Sequence, residues 1–533
     1  RDFVLSTADD RGYEPFVQGG GWMNASRAVR TLEGHNGTWS ASPAQWNTGW
    51  FHGKHRDANL NSILPGESQT FDVLFSNPSD SELQLNLTPV SFQPLAHDVL
   101  VWNSTGNGTG GGENGTWDGH QGDRPDLLIP IHITNDSAYQ LPIETVQFRA
   151  RATIQYDAFD HDLDRSSMER VYLEVFRWSD FDGDGQYHND TDSDGMVDES
   201  EWEDSEELEE VTYWWSHGPQ AEVRVGLPFE DARDGLLLGV WRYDASSSGL
   251  DPVRIEVDWT SFGLAEDEWI SVSDSIQIDA GTQLAAPVSV SVPADATPGL
   301  HQHGIMVESE TDTENSSRYW TLPIVTNVPW DGPFTLLPKP LDGNPDNQTL
   351  YSESWISGAM RWGWRPESGD WRFLTVDWPE ELDDDGAIIL DVDWDDNPFT
   401  DIDVLWLTET PHEYTDEDPE AYGPSTFFIE ERSVNNHATS GQHNWGTYTG
   451  TSRETFAVPA TPGIHQMVLH TALHGVETND NPLNISVGYI SAESSGFSRT
   501  VSDWSESEGN DSALVVSTMP LPAESVSAQG WVR

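Results

Sequence analysis

Apolar and polar residues alternate with a period of two along much of the chain. Phe71, Val73 and Phe75 are interleaved with Asp72 and Leu74, and Leu83, Leu85 and Leu87 with Glu82, Gln84 and Asn86. Val253, Ile255 and Val257 repeat the device, as do Val288, Val290 and Val292. Successive side chains of a strand point to opposite faces, so this period predicts half-buried antiparallel strands. Pro, Gly, Asn and Asp interrupt the runs at short intervals, the punctuation of β-sandwiches. Long amphipathic helices are few; a short helix is expected over residues 24–32, after the glycine run Gly19-Gly20-Gly21. The expected fold class is all-β, several tandem β-sandwich domains with an acidic calcium-binding loop insertion.

The 533 residues leave room for roughly three to four compact units at the usual domain size. The expected units are a separate N-terminal piece at 1–33, a sandwich at 60–250 with a loop insertion at 180–201, a sandwich at 251–330, another at 335–495, and an acidic tail or stalk at 496–533. Residues 103–123 are too Gly-rich to pack and read as a solvated loop, and the Pro-rich stretch 326–348 reads as a linker. An internal repeat supports more than one sandwich. Val292-Pro293-Ala294 and Thr297-Pro298-Gly299-Leu300-His301-Gln302 return as Val458-Pro459-Ala460-Thr461-Pro462-Gly463-Ile464-His465-Gln466. Pro-Gly at the centre suits a type II turn, in which Pro presets φ and Gly accepts the positive φ that follows. Each copy is expected to join two late strands of its own domain, as a structural turn rather than a ligand loop built on His301 or His465.

Charge narrows the partners. Lys and Arg number 25 against 91 Asp and Glu, so 25 − 91 gives a net charge of −66, which repels nucleic acid and anionic lipid from the bulk surface. Lys54 and Lys339 are the two lysines; the remaining basic residues are Arg. A dispersed excess of carboxylates is the surface of a salt-adapted or an acidic extracellular protein. The chain contains no Cys, which removes disulfides, Cys-ligated zinc and thiol nucleophiles. No run of 18 or more apolar residues exists, so no membrane span is expected within it. The chain opens at Arg1 without an apolar h-region and reads as part of a processed or longer product. Twelve Asn-X-Ser/Thr acceptors, Asn24, Asn36, Asn86, Asn103, Asn107, Asn114, Asn135, Asn189, Asn315, Asn347, Asn484 and Asn510, favour an exported glycoprotein, extracellular or at the cell surface.

The strongest chemical signal is a pair of aspartate-rich loops. Asp190, Asp192, Asp194, Gly195 and Glu201 fit D-x-[DN]-x-[DN]-G-x₅-E. Ca²⁺ takes six to eight oxygens, which alternate Asp side chains supply around a sharp Gly turn. Met196 would offer its backbone carbonyl, Asp198 a direct or water-bridged contact and Glu201 a bidentate carboxylate. Upstream, Asp180, Asp182, Asp184 and Gly185 repeat the start of the motif, but Thr191 stands where the bidentate Glu belongs. That site is expected to be weaker, or completed by Asp190 or a carboxylate from elsewhere. The tandem resembles thrombospondin type 3 repeats and related EF-hand-like loops. Its expected role is structural, clamping an insertion between strands at 171–177 and 211–215. The histidine pairs His52/His55 and His301/His303 are read as surface or turn residues, and Trp394 and Trp406 as core.

Residues 6–33 carry Ser6-Thr7-Ala8-Asp9-Asp10 and Gln18-Gly19-Gly20-Gly21-Trp22-Met23-Asn24-Ala25. This stretch resembles the end of the catalytic domain of subtilisin-like serine proteases, and covers under a tenth of the chain. The family's Asp/His/Ser triad motifs are missing; Gly450-Thr451-Ser452 is their nearest imitation and is given no catalytic role, so the chain alone is not expected to hydrolyse peptides. Ile63-Leu64-Pro65-Gly66-Glu67-Ser68-Gln69-Thr70-Phe71 and Val290-Ser291-Val292-Pro293-Ala294 are similar to the fibronectin-III-type sandwiches of large subtilases. Residues 369–376, 389–394 and 400–406 are similar to a pre-peptidase C-terminal domain. The resemblance implies a non-catalytic, Ca²⁺-stabilised accessory region whose partner is an upstream protease domain. The alternative is an extracellular structural or adhesive protein that contacts cell-surface protein or glycan.

Overall fold

The structure, a computed structural model, describes residues 1–13, 18, 20–46, 62–104, 125–131, 139–142, 144–155, 170–179, 207–215, 220–226, 235–243, 253–310, 317–330, 334–336, 339–340, 348–349, 361–362, 365–366, 371–378, 387–394, 401–408, 428–433, 453–459, 463–473 and 483–490. Two short helices come first, α1 (Asp2–Ser6) and α2 (Ala25–Leu32). The strands follow as β1 (Ser40–Ser42), β2 (Ser68–Ser76), β3 (Leu83–Ser104), β4 (Leu127–Ile131), β5 (Thr145–Gln155), β6 (Arg170–Trp178), β7 (Leu208–Trp215), β8 (Gln220–Gly226), β9 (Leu236–Tyr243) and β10 (Val253–Glu266). Then come β11 (Ile270–Ser271), β12 (Ser275–Ile278), β13 (Gln283–Ser291), β14 (Gly299–Glu310) and β15 (Ser317–Val328). The remainder are β16 (Phe334–Leu336), β17 (Lys339–Pro340), β18 (Gln348–Thr349), β19 (Arg361–Trp362), β20 (Arg365–Pro366), β21 (Trp371–Trp378), β22 (Ala387–Asp393), β23 (Asp401–Thr408), β24 (Phe428–Ser433), β25 (Arg453–Pro459), β26 (Gly463–Leu473) and β27 (Leu483–Ile490). All the pairings between these strands are antiparallel, as the period-two pattern predicts.

One long sheet organises the first two cores. Its order is β15-β14-β3-β10-β5-β8, with β12 added on β3. The sheet β1-β2-β13-β11 packs on one half, around Phe75, Leu85, Leu87, Val288, Val290, Val307 and Trp320. The sheet β4-β9-β6-β7 packs on the other half, around Ile131, Phe148, Ala150, Val171, Leu173, Leu238, Val257 and Trp259. Leu83, Leu85 and Leu87 of β3 enter the first core, whereas Leu100 and Trp102 pack against the second. A bulge accounts for the change from odd to even positions. Ser261 pairs with Ala96 but Phe262 pairs with Pro94, and the extra residue on β3 keeps both cores on the same face.

The boundary expected at 250/251 is crossed by these sheets, because β10 pairs with both β3 and β5. The first core unites Trp39, Val73 and Leu87 with Val288, Ile305 and Val328, and the second core lies between these groups in sequence. The Pro-rich stretch is likewise no loose linker at its start. Thr326 and Asn327 are buried, Val328 belongs to the first core and Trp330 already belongs to the third. That third core is enclosed by β16-β27-β22-β25 and β21-β26-β23-β24, with Leu374, Leu390, Val404, Trp406, Met467 and Leu469 inside. Trp394 and Trp406 are core, as expected.

Both copies of the Pro-Gly repeat occupy the same topological position. The first joins β13 to β14 and the second β25 to β26, each crossing from one sheet of a sandwich to the other. Gly299 has φ +135°, the positive region the turn requires; residues 460–462 lie outside the described residues.

Candidate functional site

The stretch 1–33 is organised around Asp9. Its backbone exchanges two hydrogen bonds with Trp22, at 2.8 and 2.9 Å. This close approach explains the glycine run: a Cβ on Gly21 (φ +96°) would lie 2.1 Å from the Asp9 carbonyl oxygen, and one on Gly20 2.7 Å from that of Leu5. Asn24 caps α2, its Oδ1 accepting from the Arg27 N–H at 2.7 Å. The Asn24 amide also donates to both Asp9 carboxylate oxygens, at 3.0 and 2.9 Å. Arg27 Nη1 meets Asp9 Oδ1 at 2.6 Å and donates to the Ala8 carbonyl at 2.7 Å. The Asn24 side chain, counted above among glycan acceptors, is therefore committed to holding this turn.

The unit is fastened to β15, the edge strand of the long sheet, from both of its faces: Arg318 shares the inner face with Trp320, and Thr321 the outer one. Arg318 on β15 is 5% exposed and places its guanidinium 3.9 Å from the centre of the Trp39 ring. Its Nη1 donates to the Trp39 carbonyl at 3.2 Å and its Nη2 to the Ser6 carbonyl of α1. Burial lowers the Arg318 pKa to about 9; Arg27 adds to the effect and Asp9 opposes it. Thr321, whose neighbours Trp320 and Leu322 point into the first core, donates to Asp10 Oδ2 at 3.2 Å. The ring of Tyr13 lies 3.2 Å from where a Cβ on Gly226 of β8 would stand. Residues 10–13 thus reach from β15 to β8, the two edges of the sheet.

The outer face of the long sheet, the side on which Thr321 lies, carries buried charge. Arg151 grips Asp258 through Nε, 3.2 Å from both oxygens, and through Nη2 at 3.0 Å, with side chains 2% and 3% exposed. His97 shares a 2.9 Å hydrogen bond between Nδ1 and Thr260 Oγ1. Burial holds its pKa down at about 4; Asp258 opposes this, and Arg151 and Arg149 add to it.

A second polar corner lies where β10 turns into β11. Asp267 Oδ1 accepts from the backbone N–H groups of Trp269 and Ile270, at 2.8 and 2.6 Å, while Oδ2 meets His303 Nδ1 at 2.5 Å. Trp269 packs on His301 and His303, with ring centres 4.4 and 4.9 Å apart. An imidazole oriented by a carboxylate is two-thirds of an acyl-transfer triad. Among the described residues no hydroxyl meets His303 Nε2, and the contacts the pair does make hold the corner. His301 Nε2 is engaged with the Thr297 carbonyl at 3.0 Å. The two histidines do not converge on a common centre, and His303, expected at the surface or in a turn, is 4% exposed on strand β14.

Asp180, Asp182, Asp184, Asp190, Asp192, Asp194, Met196, Asp198 and Glu201 lie outside the described residues, as do His52 and His55. The described structure supplies the strands that flank the aspartate loops. β6 and β7 pair up to Trp178 and Leu208, and the Ser179 N–H donates to the Glu207 carbonyl at 2.9 Å. Among the described residues no group of three or more His, Asp or Glu could hold a metal ion, and no helix is long and apolar enough to cross a membrane. Arg318, Arg151, Asp258 and Asp267 were not singled out by motif or spacing. The one available signal was that Arg is sparse in so acidic a chain, which makes an Arg inside an alternating strand conspicuous.

No family model and no curated protein matches the sequence. Similar solved structures include the secreted serine protease VesC from Vibrio cholerae, at 8% identity and a TM-score of 0.23 over 88% of this chain and 54% of that one. Tripeptidyl Peptidase 2 aligns at 9% identity and a TM-score of 0.14, over 91% of this chain and 37% of that one. The tandem CBM22 domains of Xyn10C from Paenibacillus barcinonensis align at 13% identity and a TM-score of 0.14, over 66% of this chain and 79% of that one. The chain spans about half the length of VesC, and likenesses this shallow carry no argument about its fold or activity.

Proposed function

We propose that the chain is the non-catalytic accessory region of an exported subtilisin-like serine protease, holding and orienting an enzyme body that precedes it. The observation that carries this reading is the buried Arg318. One guanidinium binds both the Ser6 carbonyl, in the segment resembling the end of a protease domain, and the Trp39 carbonyl of the first sandwich. A body continuous with α1 would therefore be held at a fixed attitude to the long sheet instead of swinging on a tether. On the same reading the loops at 180–201 bind Ca²⁺ and stiffen the connection between β6 and β7, whose closed base supports a structural role. Chelation should then open that connection to proteolysis.

The test is active-site labelling of the complete polypeptide with a serine-directed fluorophosphonate. Label on a serine ahead of Arg1, with none in residues 1–533, is expected. A complete polypeptide that takes up no label and cleaves no peptide would overturn the reading.

A further inference from the structure

Of the twelve Asn-X-Ser/Thr acceptors, five, Asn24, Asn36, Asn86, Asn103 and Asn484, lie among the described residues, and the fold treats them differently. An N-linked sugar needs a side-chain amide free to take it and, two residues on, a hydroxyl free to be read. Asn24 commits its amide to Asp9 and its carbonyl to the Arg27 N–H. Asn484 is half-buried, and its Oδ1 accepts from Thr335 at 2.9 Å. Asn36 is exposed, but Thr38 is 7% exposed and its hydroxyl donates to the His35 carbonyl at 2.6 Å. The hydroxyl that would serve Asn103 belongs to Thr105, outside the described residues. Asn86 and Thr88 are both exposed. They stand two apart on β3, whose Leu85 and Leu87 fill the first core, so both point from the outer face of the long sheet.

Chain order keeps Asn86 open while the protein is made. The strands that pair with β3 are β10, β12 and β14, and all of them follow it, whereas Asn24 meets Asp9 within fifteen residues. We propose that Asn86 carries an N-linked oligosaccharide whose first, neutral sugars lie across Glu308 onto the ring of Tyr319. Register fixes the row: Ser275, Asn86, Glu308 and Tyr319 stand opposite one another on β12, β3, β14 and β15. With adjacent strands about 4.8 Å apart, Tyr319 lies roughly 10 Å from Asn86, within reach of the second sugar. Tyr319 is 49% exposed, and the apolar face of a pyranose covers such a ring while its hydroxyls stay in water. Glu308 on the path, in a chain of net −66, selects against acidic sugars. In the transfer, Asn86 Nδ2 loses a proton and bonds to the anomeric carbon of a lipid-pyrophosphate-linked oligosaccharide. The bond from that carbon to the pyrophosphate oxygen breaks, and its electron pair leaves with the lipid pyrophosphate. The inference rests on the export in the proposed function and not on the protease.

For the test, the complete polypeptide is secreted from cells that transfer such oligosaccharides to Asn-X-Ser/Thr. The sugars are then released enzymatically in heavy-oxygen water, which marks every occupied Asn as a heavy Asp for mass spectrometry. Asn86 should be marked and Asn24 and Asn484 not, and Thr88→Ala should abolish the mark at Asn86 alone. A double-mutant cycle tests the path. Asn86→Gln, which removes only this sugar, should lower the Tm of the first two sandwiches when Tyr319 is present and leave it unmoved in Tyr319→Ser, the coupling expected of groups in contact. Marks on Asn36 or Asn103 with none on Asn86 would overturn the site and leave export standing. No mark on any acceptor of the secreted chain would overturn the site as well. Equal losses of Tm in the two backgrounds would remove the path onto Tyr319. A labelled or unlabelled serine in the fluorophosphonate experiment alters none of these outcomes, so the two readings fail separately.

Discussion

Strands β3 and β10 run unbroken from the first sandwich into the second, whereas among the described residues the third sandwich meets the first at Pro329 and where β21 touches β14 and β15. In the first joint the two cores share a hydrogen-bonded ladder that pairs fourteen residues of β10 with β3, from Val253↔Ser104 to Glu266↔Val90. In the second, Val328 and Trp330 fall into different cores. Arg372 of β21, 0% exposed, donates from Nε at 2.9 Å to the Pro298 carbonyl in the β13–β14 turn, and from Nη2 to the same oxygen. Burial lowers its pKa to about 9. A continuous ladder transmits unfolding from one core to the next. A side-chain latch holds orientation while leaving each core to stand or fall on its own packing.

The largest expected effect strikes the shared sheet. Asp258→Ala leaves Arg151 buried without its carboxylate, at a cost of about 3–5 kcal/mol. Because that sheet serves two cores, calorimetry should show the first and second sandwiches losing stability together, with the third transition unmoved. A separate, unshifted transition for the first sandwich would break the distinction between the joints. Arg372→Met tests the other side. It leaves the Pro298 carbonyl without that donor at a cost of roughly 1–3 kcal/mol. The third sandwich should then lengthen the particle in X-ray scattering while every core keeps its transition. Unchanged scattering would show that the Arg372 latch does not set the angle.

A smaller, pH-dependent effect sharpens the same contrast. His97 titrates near 4 when folded, against 6.5 for the free side chain, so the unfolded chain binds the extra proton between these values. Stability is therefore full above pH 6.5 and falls as the pH drops towards 4, by about 3 kcal/mol. His97→Gln should flatten this dependence for the first two sandwiches and leave that of the third alone.

Much of this architecture was legible because it is local. Alternation located β2, β3, β10 and β13, the glycine run located the start of α2, and the repeated Pro-Gly turn marked equivalent crossings in two sandwiches. The insertion of the second sandwich into the first was not legible. Val253 pairs with Ser104 across a long stretch of chain, and nothing in either strand names its partner. Proline composition misled at 326–330, where strand β15 runs on until Val328 and its residues are buried. The fastening residue Arg318 had no motif, since its meaning lies in the Ser6 and Trp39 carbonyls brought to it by the fold.

Amide hydrogen exchange over residues 1–33, compared between the native chain and Arg318→Met, bears most directly on the fastening of the N-terminal unit to the long sheet. Amides of Trp22 and of α2 should be protected in the native chain and lose that protection in the variant, while β4–β9 exchange unchanged. Exchange at unprotected rates throughout 1–33 in the native chain would contradict the account.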